Sequence, residues 1–208
     1  MVGTFSLRYG LTAKAEIHVR TSYLYTSTRT SDTSGTSQQS HHHVADVWLG
    51  VNYQFKKDNA TPALLGFAEI ALTEKHRQQS SHFKSILFGL TTYRAIDPIV
   101  FSFTLAYRLN QSRQDGVTSY QPGNLLLLNP SVAFAVNDRV TLTTGVQWTH
   151  RQADKNNGVP QGFRQTRTDL LLGVGYGFEK SSTLNVTLKT NVSGRNGADL
   201  RLNWLHTF

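Results

Sequence analysis

Apolar and polar residues alternate with a period of two along almost the whole of this chain, which confines it to β-structure with two chemically different faces. Near the C-terminus Leu200, Leu202, Trp204, His206 and Phe208 take alternate positions, with Asp199, Arg201, Asn203, Leu205 and Thr207 between them. Leu184, Val186, Leu188 and Val192 repeat the pattern, as do Leu170, Leu172, Val174, Tyr176 and Phe178. It returns in Val140, Leu142, Val146 and Trp148, in Ile99, Phe101, Phe103, Leu105 and Tyr107, and in Val47, Leu49, Val51, Tyr53 and Phe55. Near the start Ile17, Val19, Tyr23 and Tyr25 oppose Glu16, His18, Arg20 and Ser22. About eleven such segments are legible, those near 63 to 74 and 84 to 93 being the least regular.

The connections sort into two kinds. Gly10 to Thr12, Lys57 to Thr61, Ala95 to Pro98, Asn137-Asp138 and Glu179 to Ser181 are short. Between them fall longer polar stretches at 27–43, 75–83, 111–123, 152–164 and 193–198. Short turns at one end and long loops at the other are the habit of outer-membrane barrels, whose short turns face the periplasm. A soluble sandwich has no physical reason to sort its loops this way.

No apolar run approaches the roughly 18 to 20 residues a transmembrane helix needs, so a helical membrane protein is excluded. Met1 to Ser6 run straight into an alternating segment without a charged, apolar and small-residue leader pattern, so the chain is read as either a mature protein or a piece of a longer one. The chain has no cysteine, which removes disulfides, thiolate metal sites and cysteine nucleophiles.

The charged residues decide which face points inward. Arg8, Glu16, His18, Arg20, Asp46, Glu69, Arg108, Arg151, Arg167, Asp169, Lys189 and Arg201 all fall on the polar series. Burying that many ions in a dry core costs several kcal/mol each unless every one is paired, whereas a wet lumen avoids most of the penalty. The apolar series carries Tyr9, Tyr23, Tyr25, Tyr53, Phe55, Tyr107, Trp148, Tyr176, Phe178 and Phe208 near strand ends, as aromatic girdles at the two membrane interfaces require. The expectation is an all-β, transmembrane antiparallel barrel forming a single domain over residues 1 to 208. Counting back from Phe208 leaves an odd number of strands, so a first strand and loop are expected to be missing, or the strands to be divided differently, in a barrel of about twelve.

Chemical sites are sparse. His41, His42 and His43 alternate sides on an extended chain and cannot all face one ion, so no metal site is expected. Glu16, His18 and Arg20 share one face, where an acid, a base and an anion clamp could be imagined, but lumen lining accounts for them better. No nucleophile elbow or phosphate-binding loop is present, and an outer-membrane hydrolase would need a serine and histidine meeting at a strand end. Gly173, Gly175 and Gly177 share one strand face, where they relieve crowding. No cofactor is expected. The formal net charge of +8 arises from 21 Lys and Arg against 13 Asp and Glu. Its placement on the polar series argues against nucleic acid and for a lining that favours anions, with Glu16, Asp46, Glu69, Asp169 and Asp199 available to pair with it and brace the wall.

Leu7-Arg8-Tyr9-Gly10-Leu11-Thr12, Ala45 to Tyr53, Ile96-Asp97-Pro98, Asn129-Pro130-Ser131 and Phe134 to Asp138 resemble the transporter-like barrels of the phenol-degradation meta-pathway family. Within it the likeness is to the Fap-type functional amyloid exporters of Pseudomonas. The terminal Phe208 with alternate apolar residues before it resembles the signal read by the outer-membrane assembly machinery, with His206 standing where an aromatic is usual. The resemblance implies a homotrimer in outer-membrane lipid, passing extended amyloid-type polypeptide to the cell surface. The alternatives are a passive uptake porin for small or aromatic solutes and a non-conducting structural barrel acting through its Ser- and Thr-rich loop. Neither the upstream periplasmic region nor the helical plug of the exporters is visible in the sequence.

Overall fold

A computed structural model describes residues 2–32, 35–76, 79–115, 117–179, 181–194 and 197–207. Eleven strands follow one another in a single antiparallel path among the described residues. They are β1 (Val2–Gly10), β2 (Ala15–Asp32), β3 (Gly35–Lys56), β4 (Ala63–His76), β6 (Ser85–Ile96), β7 (Ile99–Asn110), β10 (Leu125–Ala135), β11 (Val140–Arg151), β14 (Gln165–Glu179), β15 (Ser182–Asn191) and β16 (Ala198–His206). The short β5 (Gln79–Ser81) folds back on β4. Among the described residues no helix is long and apolar enough to cross a membrane.

The alternation read from the sequence becomes two faces. Along β7, Phe101, Phe103 and Leu105 are exposed, while Ser102, Thr104 and Ala106 between them are more covered. The more covered face is the concave one. Arg108 of β7 reaches the ring of Trp48 on β3, three strands away along the wall, with its guanidinium 4.9 Å from the ring centroid. Three inter-strand steps span about 14 Å, so only side chains leaning together across a concave surface meet in this way. The convex face shows Phe5 at 69%, Leu202 at 69% and Trp204 at 70% exposure on the edge strands, and values near Leu105's 39% along the middle of the wall. An apolar surface of that extent is the solvent-facing side of no soluble monomer.

Four of the five expected loops carry strand structure, 75–83 through the end of β4 and β5. Residues 27–43, read as an open loop, extend β2 and β3 into a hairpin paired from Ser27↔Ser40 to Asp32↔Gly35. Serine and threonine support an extended ladder there as readily as a loop. Within 111–123 and 152–164, β8 (Arg113–Asp115), β9 (Thr118–Gln121), β12 (Asp154–Asn156) and β13 (Val159–Gln161) form a separate four-stranded sheet in the order β13-β12-β9-β8. The two loops therefore hold each other.

The first and last strands are not paired with each other among the described residues, so the wall is open between β1 and β16. Both run toward the short-turn end, and an antiparallel ladder cannot join two strands of the same direction. Phe208 lies outside the described residues.

Candidate functional site

The concave face between β1 and β7 carries a continuous polar network. Glu69, on β4, accepts from Arg20 Nε at 2.8 Å and Nη2 at 2.6 Å, and its other oxygen lies 3.0 Å from His18 Nε2. Glu16 accepts from Asn52 Nδ2 at 2.6 Å and lies 3.9 Å from Arg8. The register explains the convergence, since Gly50 stands opposite both His18 and Glu69 and leaves room between them. A Cβ at Gly50 would fall 2.5 Å from the His18 ring and 2.7 Å from Glu69 Cγ. Gly50→Ala is accordingly expected to part the pair and destabilise the barrel by about 1–3 kcal/mol, read as a lower unfolding temperature.

A second cluster forms around Glu74, which is buried. It pairs with Arg108 and, at 2.8 Å, with Arg113 of β8, and it accepts from Ser85 Oγ at 2.6 Å. Asn110 accepts from Arg108 Nε at 3.0 Å and donates to the Gly123 carbonyl at 2.9 Å, tying the wall to the loop sheet. Trp48, 1% exposed, joins the two clusters: Arg20 stacks on its ring at 4.8 Å and Arg108 at 4.9 Å. Each contact is a cation–π pair, with the ring buried and the guanidinium groups partly exposed. Asp46 stands opposite Ser22 and Glu74 in the register, and its Oδ1 is buried with no hydrogen bond among the described residues.

Across the wall, Asp169 is fully buried between Arg167 at 2.6 Å and Lys189 at 3.0 Å, with Asn191 donating at 3.0 Å. Arg151 pairs with Asp154 at 2.8 Å, and Arg201 stands exposed on β16 opposite Thr187. Glu69, Glu74 and Asp169 thus each hold two basic groups, so these clusters stay cationic or neutral even when every carboxylate is engaged. The alternation alone does not mark Trp48, Glu74, Ser85, Asn110 or Arg113 as members of the network. Glu74 is displaced by an irregularity: Val47 pairs with Thr73 and Trp48 with Ala71, so Leu72 is skipped and Glu74 turns onto the same face as Glu69.

The loop sheet is fastened by Asp154, which accepts from the Gly123 N–H at 2.8 Å, the Tyr120 hydroxyl at 2.7 Å and Arg151. Burial pushes the Asp154 carboxyl up, but those three donors outweigh it and hold it below the ordinary value. Burial and the same hydrogen bond push the Tyr120 hydroxyl up. Because Asp154 is depressed in the folded state, its contribution is present above the ordinary carboxylate range and is lost as pH falls through and below it. Amide exchange, corrected for intrinsic pH dependence, should show 111–123 and 152–164 losing protection on acidification before the wall does. Asp154→Asn should loosen both loops at neutral pH.

The aromatic series occupies the convex face. Tyr9, Tyr53, Phe55, Tyr176 and Phe178 are exposed near the short turns, with Tyr53–Phe55 and Tyr176–Phe178 packed edge to face at 5.0 Å. Tyr107 and Trp148 lie toward the other ends of their strands, Trp148 stacking on His150 at 5.9 Å, while Tyr23 and Tyr25 sit partway along the long hairpin. His41, His42 and His43 belong to β3 by backbone, but their side chains lie outside what is described. Ser182 Oγ and His206 Nδ1 do meet at 2.7 Å at a strand end. They are directly facing cross-strand neighbours, both reached by solvent, and the register alone brings them together.

An antiparallel wall with apolar residues outside and ion pairs on its concave face is a β-barrel of the outer-membrane kind. The chain belongs to the family described as "Putative MetA-pathway of phenol degradation", which matches residues 25–205. Its fold is similar to that of an outer-membrane channel from Pseudomonas putida F1, with a TM-score of 0.76 at 13% identity over 100% of this chain and 83% of that one. No curated protein matches the sequence.

Proposed function

We propose that this chain is a passive channel of the bacterial outer membrane, lined by its concave face and admitting small solutes with a preference for anions. The observation that carries the reading is the inverted polarity: apolar side chains exposed on the convex face, and ionised side chains gathered on the concave one. Nothing in such a lining requires a cofactor or an energy source. Arg8, Arg151, Arg167 and Arg201, the more exposed cations of the lining, supply the preference, and the aromatic pairs near the short turns sit in the membrane interface. Carboxylates shared between two cations brace the wall rather than cancel it.

Export of extended polypeptide through a trimer, the finer implication of the family likeness, is a second reading. The stack of Arg20, Trp48 and Arg108 weighs toward small solutes, because it fills part of the concave face with side chains from β2, β3 and β7. Proteoliposome efflux separates the readings. Chloride and small organic anions should leave more than twice as fast as cations of equal size, and an unfolded polypeptide should not cross. Passage of the polypeptide, or equal exclusion of all solutes, would overturn the proposal.

A further inference from the structure

At the short-turn end of the concave face lies an open cavity of about 480 Å³ whose two halves differ in chemistry. One half is apolar, formed by Leu65, Phe67 and Tyr93; the other is polar and carries one more cation than anion, formed by Arg8, Lys14, Glu16 and Asn52. Phe67 lies against Gly89, where a Cβ would stand 2.5 Å from its ring and 2.4 Å from the Leu105 carbonyl oxygen, so the wall is thinned to hold the ring flat on this face. The register places Phe67 opposite Asn52 and Tyr93 opposite Ser102, both on the polar face, where an apolar aromatic is otherwise out of place.

The basic half is only loosely committed. Glu16 is held by Asn52 at 2.6 Å, and its contact with Arg8 is 3.9 Å, the longest ion pair on the face. Arg8 lies on β1, which among the described residues has a neighbour on one side only, and its distance from Glu16 leaves the guanidinium fork open to a second carboxylate. Lys14 is fixed by backbone, its N–H donating to Thr12 Oγ1 at 3.2 Å and its carbonyl accepting from Gln54 at 2.7 Å. A guanidinium presents a planar fork to a carboxylate, and an aromatic floor beside it suits a ring. The cavity is also within the size range of small-molecule sites.

We propose that this cavity is a subsite for small aryl carboxylates, with the carboxylate on Arg8 and Lys14 and the ring between Leu65, Phe67 and Tyr93. It rests on the channel reading for its purpose, as the place where a permeating aromatic acid pauses at the short-turn mouth, but not for its chemistry. An inorganic anion uses one half of the cavity and a neutral aromatic the other; an aryl carboxylate uses both.

The test is binding of benzoate to the purified, folded full chain in detergent, by calorimetry with micelle blanks, with acetate and benzyl alcohol as probes of each half alone. Benzoate should bind about tenfold more tightly than either half-probe, a difference of about 1.4 kcal/mol. Arg8→Gln should abolish its advantage over benzyl alcohol, Arg8→Lys should keep part of it, and Phe67→Ala should abolish its advantage over acetate. Magnetisation transfer from Phe67 and Tyr93 protons to the benzoate ring in the unaltered chain provides a readout that needs no variant to fold. Equal binding of the three probes, or transfer confined to residues elsewhere, would overturn the subsite. Benzoate binding by a chain that conducts nothing would keep the subsite and remove the channel; conduction without benzoate binding would do the reverse.

Discussion

Replacing Glu74 by alanine should destabilise the barrel by about 3–5 kcal/mol, because it strands two guanidinium groups that the carboxylate now neutralises out of bulk water. Glu74 is 6% exposed and is shared by Arg108 on the wall and Arg113 on the loop sheet, with Ser85 donating to it as well. The loss is therefore one of compensation more than of contact. Unfolding of the folded species, followed by its heat-modifiable mobility, should shift to markedly lower temperature. Glu74→Ala combined with Arg113→Ala should be less damaging than the sum of the two, since the second change removes one of the stranded charges. Strict additivity, or a loss under about 1 kcal/mol, would show that the cluster is solvated and not structural.

Trp48→Ala should have an effect of similar size on stability and a second effect on passage. Truncating a buried tryptophan typically costs about 3–5 kcal/mol, and here two cation–π contacts go with it. With the ring gone, Arg20 and Arg108 lose the surface that holds them over the concave face, so conductance should rise as stability falls. Trp48→Phe, which keeps a π-face between the two guanidinium groups, should retain most of both properties. Lower conductance in Trp48→Ala would mean that the stack keeps the passage open instead of narrowing it.

Strand number, strand direction and the sorting of turns were legible because each rests on a local signal: a period of two, a cluster of turn formers, a length of polar chain. The polarity of the faces was legible for the same reason. What escaped were features set by departures from strict alternation. Glu74 looks outward if period two is carried through β4, and only the skipped Leu72 returns it to the concave face beside Asp46. Trp48 shares the parity of Asp46 and Asn52, so its position was readable, but its hydrophobicity masked it among the convex aromatics. Arg113 lies in a loop, and neither its ion pair with Glu74 nor the pairing of 111–123 with 152–164 leaves a mark on sequence spacing, since both join segments far apart in the chain. The long β2–β3 hairpin reads as a loop in sequence because serine and threonine serve both.

Reversal potential across a planar bilayer tests the account at its centre. With folded protein inserted and a potassium chloride gradient imposed, the channel should conduct steadily and select chloride over potassium by about two- to five-fold, as a lining with a small cationic excess implies. Charge reversal at Arg167 and Arg201 should move that ratio to unity or below. A cation-selective channel unaffected by those changes, or no conductance from demonstrably folded protein, would contradict it.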